Sequence, residues 1–145
     1  MRDIQQKKVY NWEDTFVHPK DKKIIPFGQI ISIVNYVWQN EGLDNPPKVE
    51  QMPKQARNFR ATGSRYRVRF SYKGEFTFII LHELSHSLIN DIDGNAYGHG
   101  PKFVGIYMYL LSKYGKIPFA ELMYTTSRCN VEYELGGATL IESGK

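Results

Sequence analysis

Apolar residues along this chain recur with two periods, and the switches between them lay out the elements. Ile4, Val9, Trp12 and Phe16 stand at helical spacing among charged residues, which predicts a helix from Asp3 to about Phe16. His18-Pro19-Lys20-Asp21 breaks it. Pro26 opens a second helix with the apolar set Ile30, Ile33, Val34, Val37 and Trp38; it runs to about Gln39 and stops before Gly42, with Pro first and Gly past the end. Asp44-Asn45-Pro46-Pro47 is a loop, and Lys48 to Met52 reads as a short strand. Gln55 to Ala61 and Ser64 to Tyr72 read as a hairpin turning at Thr62-Gly63-Ser64. In its second strand Tyr66, Val68 and Phe70 alternate with Arg65, Arg67 and Arg69, so period two predicts an apolar face and an arginine face.

After the turn at Lys73-Gly74 the period changes. Phe76 to Ile89 is apolar on most sides, which predicts a buried helix ending near Asn90. A polar loop, Asp91 to Gly98, follows. Pro101 suits a first helical position, and Phe103, Ile106, Leu110 and Tyr114 form a stripe up to Gly115. Pro118 starts a last helix, Phe119 to about Ser127. Residues 1–135 read as one α+β domain, with helices around a small, twisted, mostly antiparallel sheet; 136–145 is expected to be a mobile tail.

The buried helix contains the chemistry. His82-Glu83-Leu84-Ser85-His86 spells H-E-x-x-H, and four residues is just over one helical turn, so both imidazoles share a face. That spacing lets them grip one zinc ion and places Glu83 to act on water at the metal. Two histidines and a glutamate buried without partners would be costly, and a metal removes that cost. The competing reading is a pair of ordinary core histidines. A catalytic zinc needs a third protein ligand and an open position. His99 is the candidate, 13 residues after His86 and flanked by Gly98 and Gly100, where backbone can approach closely. Asp91 and Asp93 are fallback ligands, and His18 reads as a loop histidine. A tetrahedral oxyanion needs a further donor; Tyr97 is the first candidate, with Tyr107 and Tyr109 behind it. The edge of the strand Ser64 to Tyr72 is a candidate for binding an extended peptide, which would bring its arginines near the cleft.

Charge adds a second theme. The net charge is +4, and seven of the 19 basic residues lie between Lys54 and Lys73 with no acid among them. The rest of the chain carries fewer basic than acidic residues. This 54–73 segment, with Arg65, Arg67 and Arg69, is a candidate surface for substrate or nucleic acid; a solvated strand face is the plainer reading. No apolar run is long enough to span a membrane, and the polar Met1 to Lys8 shows no signal core. Cys129 is the only cysteine, which excludes an intramolecular disulfide and makes a cytoplasmic setting the expectation.

The motif helix, followed by His99-Gly100-Pro101-Lys102-Phe103, resembles the H-E-x-x-H and H-G-P-x-F pair of small zincin-type metallohydrolases of bacteria and phages. Arg2-Asp3-Ile4-Gln5-Gln6-Lys7-Lys8-Val9-Tyr10 resembles the R-D-x-Q-x-x-x-V-Y start of that group. A more distant likeness is to SprT-like metalloproteases. The resemblance implies a minimal zincin fold, with His82, His86 and His99 as zinc ligands and Glu83 as catalytic acid and base. Lys102 departs from the pattern, where an acidic residue is common. A SprT-like zinc ribbon needs several cysteines and cannot form with one. The leading expectation is a zinc metallopeptidase acting on a protein or peptide. The alternatives are a basic, DNA-associated or partner-binding module with a structural metal, and a zinc hydrolase of a non-peptide amide.

Overall fold

The computed structural model describes residues 4–21, 23–53, 61–92 and 98–135. The hairpin strand expected before Ala61, the expected tail 136–145, Tyr97 and Asp93 lie outside the described residues, as do Lys54, Arg57 and Arg60. Helix α1 spans Gln6–Trp12 and continues as a wider π turn, Glu13–Val17, then a 3-10 turn, His18–Lys20. Strand β1 (Ile24–Ile25) leads into α2 (Phe27–Asn40). Strands β2 (Lys48–Gln51), β3 (Thr62–Gly63), β4 (Arg67–Phe70) and β5 (Glu75–Phe76) follow, then α3 (Thr77–Ile92), α4 (Pro101–Lys113) and α5 (Phe119–Arg128). The class is α+β, as the pattern of elements implies.

Among the described residues, two small sheets hold the helices in place. β1 and β5 pair antiparallel, Ile24 opposite Phe76. The other sheet has the order β2-β4-β3. β3 runs antiparallel to β4, while β2 runs parallel to it with Val49 opposite Val68. The longest pairing is therefore parallel, which a reading built on turns does not detect, because parallel strands share no tight turn. β4 is central and paired on both sides, so its edge is not open to an added peptide strand; the edge strand next to the site is β3. The hairpin also turns later than expected. Thr62 and Gly63 are strand residues, and the turn lies beyond them, where the Ser64 amide donates to the Arg67 carbonyl at 2.8 Å.

The alternation in β4 holds for Val68 and Phe70, both fully buried. It fails for Tyr66, which sits in the turn and is 72% exposed. The arginine face is not a bare positive surface. Arg69 Nε donates to Glu50 Oε1 at 3.1 Å, and Arg67 Nε lies 3.9 Å from Glu50 Oε2, the acid being supplied by the parallel neighbour β2.

Helix α4 runs through the core. Phe103, Val104, Ile106, Tyr107, Met108, Leu110 and Leu111 are all buried, a wider apolar girth than one stripe, because α1, α3 and α5 surround it. Trp12 ties three of these helices together: its ring meets Tyr107 edge-on at 5.7 Å, and its Nε1 donates to Thr125 Oγ1 at 2.9 Å. Burial of this set is the main stabilising term, at roughly 25 cal/mol per Å² of apolar surface. No described helix is long and apolar enough to cross a membrane.

Candidate metal centre

Helix α3 is held at its start from outside itself. The Phe78 amide, otherwise unsatisfied in the first turn, donates to Asp21 Oδ2 at 2.7 Å. Strand β5 feeds directly into this turn and is pinned by β1, so the entry of the helix is clamped twice. Its middle is pressed against β3: a Cβ on Gly63 would stand 2.4 Å from the Glu83 carbonyl oxygen. Only glycine allows the strand that close to the motif.

One turn apart on α3, the rings of His82 and His86 have centroids 5.1 Å apart. His99 comes from the segment before α4. Gly98, at φ +82°, turns the chain into it, and Gln5 holds its backbone, with Nε2 donating to the His99 carbonyl at 2.9 Å. The same side chain bonds Glu132, receiving its amide at 2.7 Å and donating to its carbonyl at 3.1 Å. Gln5 thus fixes the third histidine against the C-terminal segment. One nitrogen from each of His82, His86 and His99 lies within 4.8 Å of the others, a span a single ion can bridge. His82 Nε2 and His99 Nε2 face each other at 3.1 Å.

The surroundings suit a cation. His82 Nδ1 lies 2.7 Å from Glu13 Oε2, so the carboxylate fixes the ring with Nε2 turned toward His99. The Tyr107 hydroxyl donates to the same Glu13 oxygen at 2.5 Å. Burial and the Glu13 charge hold that phenol well above its usual range. Phe103 forms the floor, stacked on His86 at 4.4 Å and edge-on to His99 at 5.0 Å. Burial, with the neighbouring His82 and His99, holds His86 down to about 2, so its imidazole is neutral and in the form that binds metal. Burial raises the Glu83 carboxyl to about 7; His82 opposes the rise, and Glu13 and Glu75 reinforce it. These values belong to the protein without a cation, whose charge would lower Glu83.

A cleft of about 310 Å³ opens beside His82 and Glu83. Tyr10, Phe78 and Ile79 line it, together with Glu13, Asp14 and Glu75. The structure brings together His82, Glu83, His86 and His99 as the sequence reading expects. It does not bring the arginines there: none of Arg65, Arg67 and Arg69 lines the cleft, and Arg65 Nη1 donates to the Asn45 carbonyl at 3.2 Å. Two tyrosine candidates are also removed. Tyr107 is buried against Glu13, and the Tyr109 hydroxyl donates to Glu41 Oε1 at 2.8 Å. Asp91 lies within α3 rather than in the loop after it. His18 packs its ring against Phe76 at 4.7 Å and Phe78 at 5.3 Å, a packing role rather than a loose loop position.

Residues the sequence reading missed are Gln5, Tyr10, Glu13, Glu75 and Phe103. A signal existed for three of them, because Gln5, Tyr10 and Phe103 are fixed letters of the strings that carry the resemblance. Comparison with protein-family models, with curated proteins and with solved structures returns no match.

Proposed function

We propose that this protein is a zinc-dependent metallohydrolase that cuts peptide bonds. The observation that supports it most is the convergence of three imidazole nitrogens within 4.8 Å beside a buried glutamate that lines an open cleft. The donor set fits zinc: three imidazole nitrogens, one ring oriented by a carboxylate, and a side left open for substrate. The resemblance to small zincin-type and, more distantly, SprT-like enzymes agrees with that chemistry.

A zinc ion bound there supplies Lewis acidity, polarising a carbonyl and bringing the pKa of water toward neutrality. His82, His86 and His99 hold it. Glu83 takes a proton from the attacking water on its carboxylate and passes it to the nitrogen of the leaving amine. Glu13 keeps His82 in the tautomer that offers Nε2. Tyr10, which lines the cleft and meets His99 edge-on at 5.2 Å, takes over from Tyr107 and Tyr109 as an oxyanion donor to test beside Tyr97. A nucleic-acid module is less well supported, since Arg67 and Arg69 share Glu50 and the cleft carries acids.

The test is hydrolysis of a denatured-protein digest and a peptide library, followed by mass spectrometry, with zinc-loaded parent and Glu83→Gln. The expected result is cleavage by the parent and none by the variant at equal zinc content. Equal cleavage by both would remove Glu83 from the reaction, and no cleavage of any peptide would leave a non-peptide amide or a non-enzymatic metal site.

A further inference from the structure

The cleft differs in charge from the chain that forms it. The protein is net positive, yet among the described residues four of the nine that line the cleft are carboxylates and none of the nine is Lys or Arg. Glu13 is committed to His82 and Tyr107. Glu83 is 7% exposed, lines the cleft and makes no hydrogen bond to another described residue, so its carboxylate is directed at whatever enters. Two acids remain without a part in holding or performing the chemistry: Glu75 on β5 and Asp14 on the π turn, facing one cleft from two elements. Glu75 is half-buried, and the hydrogen bond it accepts comes from its own neighbour, the Phe76 amide at 3.2 Å. Burial pushes its carboxyl up. A cation brought alongside would relieve that cost, whereas a phosphate would add to it.

The apolar lining fits the same ligand. Phe78 and Ile79 form a wall along which the methylene stem of a long basic side chain can lie while its head stays polar. We propose that the cleft selects peptides bearing an organic cation, the ammonium or guanidinium of lysine or arginine, next to the bond that is cut, with Glu75 and Asp14 as its subsite. This rests on the metallopeptidase reading for the word "cut", but not for the binding preference. A free N-terminal ammonium carries the same chemistry as a lysine head, and the peptides below separate the two.

The experiment uses zinc-loaded Glu83→Gln protein and calorimetric titration with short peptides that differ at one position, Lys, norleucine or Glu, each with a free or an acetylated N-terminus. The acetylated Lys peptide is expected to bind about tenfold more tightly than its norleucine counterpart at low salt, the scale of one partly desolvated ion pair. Adding Glu75→Gln is expected to abolish most of that preference, and adding Asp14→Asn, at an exposed position that does not threaten folding, to reduce it. Tight binding that follows the free N-terminus and ignores the side chain would move the subsite to a terminal amine and overturn the side-chain assignment. Equal affinity for Lys and norleucine, or a preference that survives both substitutions, would overturn the proposal. Rates for the parent on the same peptides separate the two claims. Cleavage indifferent to charge sinks the subsite and leaves the peptidase; cation-selective binding with no cleavage sinks the peptidase and leaves the subsite.

Discussion

His82 Nδ1 and Glu13 Oε2 stand 2.7 Å apart across 69 residues of sequence, and His82 turns its other nitrogen toward His99. The carboxylate makes His82 more basic toward a metal and fixes which nitrogen faces it. Glu13→Gln keeps the size of the side chain and a hydrogen-bonding oxygen but removes the charge. Zinc affinity, measured by competition with a chromophoric chelator, is expected to fall about 10- to 100-fold. Tyr107→Phe removes one bond to that carboxylate and is expected to cost less. Affinity unchanged in Glu13→Gln would mean that His82 is oriented by its packing alone.

This contact also marks where the sequence stops being legible. The motif helix can be read because an apolar run surrounds His82 and His86, and His99 can be read because glycines flank it before a proline-led helix. Glu13 gives no local sign. It lies within an amphipathic run among other charged residues, and only the widened turn 13–17 and the packing of α1 on α3 and α4 bury it. Glu50 escapes for a related reason. It is one residue of a short strand, and its effect on Arg67 and Arg69 depends on a parallel pairing that no turn announces. Tyr66 shows the opposite error, an alternation continued past the end of the strand into the turn, where no neighbouring strand enforces it.

Away from the metal, Glu41 sits fully buried at the end of α2. Lys113 Nζ donates to its Oε2 at 2.7 Å, and Tyr109 donates to its Oε1 at 2.8 Å. Burial alone would raise this carboxyl, but the bonds from Lys113, Tyr114 and Tyr109 and the Lys113 charge outweigh it, leaving the group below the usual 4.5. A carboxyl lower in the folded than in the unfolded chain stabilises the fold above the unfolded value, and that contribution is lost as pH falls through the folded one. Glu41→Gln is therefore expected to cost about 2 kcal/mol at pH 7 in urea unfolding. The difference should shrink as pH drops below 4.5. A gap that stays constant with pH would mean that shape, not charge, is what the position requires.

Gly105 lies under the C-terminal segment. A Cβ there would stand 1.8 Å from the Glu134 carbonyl oxygen, and the Glu134 amide donates to the Pro101 carbonyl at 2.9 Å. Gly105→Ala must push residues 131–134 off α4. Because Gln5 bonds both Glu132 and His99, that shift reaches the third ligand. Overpacking of this kind costs about 1–3 kcal/mol. Lower unfolding stability together with weaker zinc binding is expected, and full zinc affinity in a destabilised variant would show that Gln5 does not transmit the strain.

The central claim is that His82, His86 and His99 hold one metal ion together. Its most direct measurement is the zinc content, by elemental analysis after exhaustive dialysis, of the parent and of His99→Ala prepared side by side. About one zinc per chain in the parent, and much less in the variant, is the result expected of a three-histidine site. A parent that retains no zinc, or a variant that retains as much as the parent, would contradict it.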